Sequence, residues 1–258
     1  MTSAMEDDSM GKIVAIGGVT PPSTLDLIDK EIIELTKKKN PRILYIPTAD
    51  GDDLGYCDFF KSIYKGKFGC KFDTLFLVRD TPTEDETREK VFTSDIVYVE
   101  GGSIFRLMDY FKKFNMDKVL KEAYKREIVL AGKSAGGLCW GKYYFENDNT
   151  KDFEIDEFNK GMDIECLKLL DFAICPHYNL QGYSERLEAM VKAHSVVGIA
   201  LDNNCAIEII DNNYRIIAAN DNANAYKVYQ NGTKINKEMI SKDCNFRSIN
   251  KLLQVSEK

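Results

Sequence analysis

The residues IVLAGKSAGGLCWG, 128–141, pass from an apolar strand-like run through a glycine-rich bend into helix-compatible sequence. At the bend, Gly132-Lys133-Ser134-Ala135-Gly136 is a G-x-S-x-G pattern. In a strand–turn–helix context such a pattern lifts a serine hydroxyl clear of a sheet. Glycines on both sides of so tight a bend remove side chains that would collide. A helix starting just after Ser134 would aim backbone N–H groups and the positive end of its dipole at the hydroxyl. A plain turn with an N-capping serine looks the same locally, so the rest of the chain must supply the partners of a nucleophile.

Towards the N-terminus, strand-like and helix-like runs alternate. Lys12 to Gly17, Arg42 to Pro47, Lys71 to Val78 and Asp95 to Val99 predict strands. Residues 24–39, 58–69, 83–92, 103–113 and 116–126 carry helical spacing. Repeated strand–helix units with short apolar strands predict an α/β fold, a mostly parallel sheet flanked by helices on both faces. Ligands bind at the carboxyl ends of such strands. Gly17-Gly18, the loop Asp50 to Asp53, Gly101-Gly102 and Ser134 all fall there.

Towards the C-terminus, Asp171 to Cys175 predicts a strand running into Pro176-His177, and Tyr183 to His194 a helix. Val196 to Leu201 and Cys205 to Ile210 predict strands around the turn Asp202-Asn203-Asn204, and 214–219 and 225–229 predict antiparallel strands. Residues 142–162 are polar and acidic, which suits either a wall over the site or a solvated insertion. No repeat or linker interrupts the chain. Residues 12–258 therefore read as one domain, behind a disordered or added leader at 1–11.

Composition narrows the function classes. With 258 residues, 44% hydrophobic and 29% charged, the chain has enough apolar sequence for a sizeable core. A net charge of -6 speaks against a nucleic-acid or membrane partner, which a basic face would mark. The seven cysteines, an odd number with no C-x-x-C pair, speak against a zinc site or a disulfide framework and fit a reducing cytoplasm. The acidic start, MTSAMEDDSM, is no signal peptide. No apolar run approaches membrane-spanning length.

A serine hydroxyl needs a base within hydrogen-bond reach, and the chain has only two histidines, His177 and His194. His194 falls late in a helix, where a structural role is expected. His177 follows a strand and so belongs at the same sheet edge as Ser134. The base in turn needs a group to hold its tautomer. Spacing nominates Asp202, at the end of an apolar strand, over Asp171, which falls at the wrong end of one. For an oxyanion hole, Ala135 supplies one backbone N–H and Gly101-Gly102 a second.

These blocks occur in order: Glu100-Gly101-Gly102-Ser103-Ile104-Phe105-Arg106-Leu107, Gly132-Lys133-Ser134-Ala135-Gly136-Gly137, Cys175-Pro176-His177-Tyr178 and Gly198-Ile199-Ala200-Leu201-Asp202. Together they resemble the peptidase E (alpha-aspartyl dipeptidase) and cyanophycinase family of serine peptidases, from about Lys12 to Tyr229. The resemblance implies a class I glutamine amidotransferase-like fold, with Ser134 as nucleophile, His177 as base and Gly101-Gly102 in the oxyanion hole. It implies a third member that is commonly glutamate, in the block matching Leu201-Asp202-Asn203, where Asp202 is one methylene shorter. It also implies a substrate-binding arginine shortly after the histidine. Tyr183 stands at that place, with Arg186 one helical turn on.

The expectation is a cytoplasmic serine peptidase that cleaves short peptides through Ser134, His177 and Asp202 by way of an acyl-enzyme. Tyr183 and Arg186 are its candidate substrate contacts, and no metal or organic cofactor is needed. A homodimer is compatible with the sequence. Rival readings are an esterase or amidase on the same site, or a binding protein that kept the fold without the activity. Cys139 lies within the helix after Ser134 and is a poor nucleophile candidate.

Overall fold

The computed structural model describes residues 11–20, 24–145 and 163–255. Most of the expected leader and residues 146–162 of the acidic segment lie outside the described residues. Gly11, assigned to the leader, is buried, and its carbonyl accepts the N–H of Asp211 at 3.2 Å.

The first half alternates strand and helix: β1 (Lys12–Ile16), α1 (Asp26–Glu34), β2 (Arg42–Ile46), α2 (Leu54–Lys61), β3 (Lys71–Thr74), α3 (Glu84–Phe92) and β4 (Ile96–Val99). Two helices, α4 (Ile104–Lys113) and α5 (Met116–Lys125), then lead to β5 (Val129–Lys133) and a single turn, α6 (Ala135–Leu138). A short pair follows, β6 (Tyr143–Phe145) with β7 (Asp163–Glu165), and then β8 (Ala173–Cys175), α7 (Tyr183–His194) and β9 (Gly198–Leu201). The chain closes with β10 (Cys205–Ile210), β11 (Asn213–Ala218), β12 (Ala225–Asn231), β13 (Lys234–Ile240), β14 (Arg247–Ser248) and α8 (Ile249–Leu253).

The main sheet has eight strands in the order β14-β11-β10-β1-β5-β4-β2-β3. Its five strands from β1 to β3 are parallel, and β10, β11 and β14 extend it antiparallel; C-terminal antiparallel strands are expected from the sequence, but β14 is not among them and β12 pairs in a second sheet. Successive side chains of a strand point to opposite faces. Ile13, Ala15, Leu44, Ile46, Val97 and Val99 accordingly join one core with α4 and α5, while Val14, Ile16, Ile43, Tyr45, Ile96 and Tyr98 join the other with α1 and α2.

The histidine is not on this sheet. β8 and β9 pair in parallel in a second sheet of order β13-β12-β9-β8, covered by α7 through Leu187, Met190 and Val191. Asp202-Asn203-Asn204 is therefore not a hairpin turn. It is the crossing between sheets, since β9 belongs to one and β10 to the other.

Smaller departures have local causes. The helix expected from residue 58 starts at Leu54, because the Asp53 carboxylate caps it by accepting the Tyr56 N–H at 2.7 Å. β3 stops at Thr74 rather than Val78. There the Asp52 carboxylate accepts the N–H groups of Val78 and Arg79 at 2.7 and 2.9 Å and draws the chain off the sheet. β13 is not expected from its sequence, KINKEMI, because an exposed, charged edge strand lacks an apolar face. Among the described residues, no helix is long and apolar enough to cross a membrane.

Candidate active site

Ser134 sits between β5 and α6 with φ 53° and ψ -119°, outside the regions a serine ordinarily adopts. The surrounding structure enforces this conformation. A Cβ on Gly132 would lie 2.1 Å from the Gly136 carbonyl oxygen, and one on Gly136 would lie 2.1 Å from that of Val99. The backbone can cross itself here only with glycine at both places. The helix expected to follow is one turn long, so the donors that matter are its first N–H groups rather than a long macrodipole.

Three consecutive carbonyls at the end of β1 gather the site. The Ser134 N–H donates to Ile16 O at 2.9 Å, the His177 N–H to Gly17 O at 3.1 Å, and the Asn204 N–H to Gly18 O at 2.8 Å. One strand end thus fixes the backbones of Ser134, His177 and the crossing segment. Contact is close enough that a Cβ on Gly18 would meet Asn203 Oδ1 at 2.2 Å and His177 Cε1 at 2.4 Å.

The side chains meet accordingly. His177 Nε2 lies 2.8 Å from Ser134 Oγ, and His177 Nδ1 lies 2.6 Å from Asn203 Oδ1. Asn203 Nδ2 donates to Thr20 Oγ1 at 2.9 Å, which places the amide oxygen toward the ring. An Nδ1–H that donates to that oxygen leaves the Nε2 lone pair facing the serine. Asn203 is itself held by its N–H, which donates to Asn179 Oδ1 at 2.8 Å.

Asp202, the expected third member, turns the other way. Its carboxylate accepts the Asn224 N–H at 3.0 Å, and its own N–H donates back to Asn224 O at 3.0 Å. It pins the end of β9 to the segment before β12, and burial pushes its carboxyl above the ordinary range. The chain turns here, the Cys205 N–H donating to Asp202 O at 3.2 Å, and the two neighbouring side chains leave the turn in different directions. Contact with the imidazole falls to Asn203 and not to the carboxylate before it. Asp171, the other carboxylate considered, is exposed at the start of the segment leading to β8.

Gly101 also differs from expectation. Its N–H donates to the Glu100 side chain, at 2.7 Å to Oε1, and so points away from an oxyanion. Gly102 follows with φ 134°, and among the described residues its N–H has no protein acceptor. The first-turn N–H of Ala135 has no intrahelical acceptor. Tyr183 and Arg186, the expected substrate contacts, are both buried, at 5% and 4% exposed. The Tyr183 ring backs His177 at 5.5 Å between centroids. Arg186 lies 4.8 Å from the Tyr183 ring centre and donates from Nη1 to Tyr144 Oη at 2.7 Å.

The other candidates fall away from the site. His194 stacks on Tyr143 at 4.1 Å, with Nε2 3.2 Å from Asp163. Cys139 is fully buried, and burial holds its thiol well above the ordinary range. Among the described residues, no group of three or more His, Cys, Asp or Glu is gathered to hold a metal ion.

Sequence reasoning missed Asn203, Thr20 and Glu100. Asn203 had a signal, since it stands beside the nominated aspartate. Glu100 had one too, as a carboxylate between an apolar strand and Gly-Gly. Thr20 had none.

Known proteins bear on this geometry. The model of peptidase family S51 matches residues 13–217. The uncharacterized peptidase YgaJ of Bacillus subtilis (strain 168) is 30% identical over 230 residues, covering 85% of this chain and 92% of its own. The uncharacterized peptidase PM1590 of Pasteurella multocida (strain Pm70) is 25% identical over 187 residues, covering 70% of this chain and 87% of its own. Among solved structures, a peptidase from an acI-B1 actinobacterium superposes with TM-score 0.67 at 16% identity, over 93% of this chain and 97% of its own. A putative peptidase E protein from Listeria monocytogenes EGD-e gives TM-score 0.57 at 20% identity, over 90% of this chain and all of its own. At those identities the structures speak to the fold alone. The family match spans most of the chain, and with it the chain belongs to peptidase family S51 and is a peptidase of the serine type.

Proposed function

We propose that this chain hydrolyses short peptides through a Ser134–His177–Asn203 triad and an acyl-enzyme. The observation that carries the reading is the imidazole bridging Ser134 Oγ at 2.8 Å and Asn203 Oδ1 at 2.6 Å. His177 Nε2 takes the hydroxyl proton as Oγ attacks the scissile carbonyl carbon. The N–H groups of Gly102 and Ala135 receive the negative charge that develops on the carbonyl oxygen. The imidazolium returns its proton to the leaving amine, the C–N bond breaks, and an ester to Ser134 remains. Water, deprotonated by the same nitrogen, then attacks that ester and frees the serine.

A neutral amide in the third place orients the imidazole and fixes its tautomer without adding charge, as asparagine does in papain-like proteases. Short peptides are the substrate class suggested by the resemblance to peptidase E, a description that one structural neighbour also carries. Selectivity for an N-terminal aspartate is no part of the proposal, because Arg186 is buried against Tyr144 and Tyr183.

The experiment is turnover of a dipeptide and tripeptide library by the full chain and by Ser134→Ala. Turnover by the natural chain that vanishes in the variant is the expected result. Turnover that survives in Ser134→Ala, or turnover of esters with none of peptides, would overturn the reading.

A further inference from the structure

Glu100 is 3% exposed at the end of β4, yet its carboxylate spends both oxygens inside the site wall. Oε1 accepts the Gly101 N–H at 2.7 Å and faces the Lys133 ammonium at 2.9 Å. Oε2 accepts the Tyr45 hydroxyl at 2.8 Å. Lys133 immediately precedes the nucleophile, and its ammonium lies 5.0 Å from the Tyr56 ring centre. Gly101 packs on the nucleophile itself, so that a Cβ there would lie 2.9 Å from Ser134 Cβ.

An unpaired buried carboxylate is costly, and one with three charge-assisted or hydroxyl partners is rigid. Besides Tyr45 on β2, its partners are two chain segments beside Ser134: the Gly101-Gly102 turn on one side and the serine elbow on the other. The Gly101 N–H is committed inward to Glu100. The next N–H, that of Gly102, is the one left to face the cleft, and Ser103 closes the turn by donating its N–H to Ala49 O at 2.9 Å. The pairing also governs charge beside the serine. Burial alone would drive the Lys133 ammonium down, but the Glu100 carboxylate and, behind it, the Tyr56 hydroxyl together outweigh burial and hold it above its ordinary value. The lysine therefore stays cationic and fixed in place.

We propose that Glu100 is a positioning residue for catalysis: through Gly101 it aims the Gly102 N–H at the oxyanion, and through Lys133 it locks that donor in register with Ser134. The inference rests on the serine-peptidase site proposed above. It adds a residue that touches no substrate and acts through two that frame it.

The test compares the full chain with Glu100→Gln, which keeps the volume and one carbonyl oxygen but loses the charge. Two quantities are read. One is the second-order rate of Ser134 labelling by a fluorophosphonate probe, whose pentacoordinate transition state uses the same donors. The other is kcat and KM on the best peptide, per titrated serine. The expected result is a fall of about tenfold or more in both labelling rate and kcat, with KM and Tm nearly unchanged. That is a fraction of the loss of about 10²–10³ that follows outright removal of a donor. If Glu100→Gln does not fold, Glu100→Asp carries the same test, since charge stays while reach shortens by a methylene. A labelling rate within about twofold of the natural chain, in a folded variant, would overturn the proposal. A natural chain that labels at Ser134 but cleaves no peptide would defeat the peptidase reading instead, and the labelling ratio would still decide this one.

Discussion

Ser134 is held within one sheet, by glycines at 132 and 136 whose backbones cross near Val99, whereas His177 and Asn203 hang from the ends of β8 and β9 in another sheet. The Ser134 half is local: strand, bend and helical turn lie within about a dozen consecutive residues. The His177 half exists only where the second sheet meets the end of β1, through the carbonyls of Gly17 and Gly18. The first half is a property of a short segment. The second is a property of a seam, and it is set by the register in which two sheets abut.

The seam offers the most sensitive place to break this arrangement. Gly18→Ala would push a Cβ to within 2.5 Å of His177 Nδ1 and Asn203 Oδ1, at a φ of 151° that L residues rarely adopt. We expect a loss of about 10² or more in kcat, as follows from a misplaced catalytic group. A stability cost of about 1–3 kcal/mol should accompany it. Kinetics per titrated serine, set beside thermal unfolding, separates the two effects. Ser134 should still be present on a folded main sheet.

A gentler change sharpens the comparison. Asn203→Asp puts a carboxylate against the imidazole with little change of shape. An adjacent negative charge favours the imidazolium. More of His177 is then protonated, and useless as a base, at a given pH. The acid limb of the kcat/KM profile should accordingly move upward, by about one pH unit, with the plateau rate changed by less than about tenfold. A profile that does not move would mean that position 203 is not coupled to the base.

Legibility in the sequence follows the same division. The parallel sheet, its two faces and most of its helices are carried by local apolar spacing, and the strands β1, β2, β4 and β5 stand within a residue or two of expectation. The elbow is carried by a contiguous pattern. The histidine was findable because only one of two stood at a strand end. Its partner was not findable by the same means, because chemistry favours a carboxylate at Asp202 while geometry selects its neighbour. Asn203 follows Asp202 into a turn closed by the Cys205 N–H on Asp202 O, and that bend sends the two side chains different ways. The sequence reads β9 and β10 as strands around a turn, and nothing in it shows that this turn crosses from one sheet to another. Likewise Gly101-Gly102 is legible as a tight turn, but the commitment of the Gly101 N–H to Glu100 is not, because no spacing reveals that carboxylate's burial.

The measurement that tests the account most directly is kcat/KM on the best peptide for two neighbouring variants, Asn203→Ala and Asp202→Asn. The second keeps an oxygen to accept the Asn224 N–H, so the pin between β9 and β12 survives. The account predicts a loss of about 10²–10⁴ for Asn203→Ala, the range over which triads suffer when the imidazole loses its orienting partner. It predicts a change of less than about fivefold for Asp202→Asn, whose carboxylate is not counted in that partnership. A large loss in Asp202→Asn with near-natural activity in Asn203→Ala would contradict it and return the third place to the aspartate.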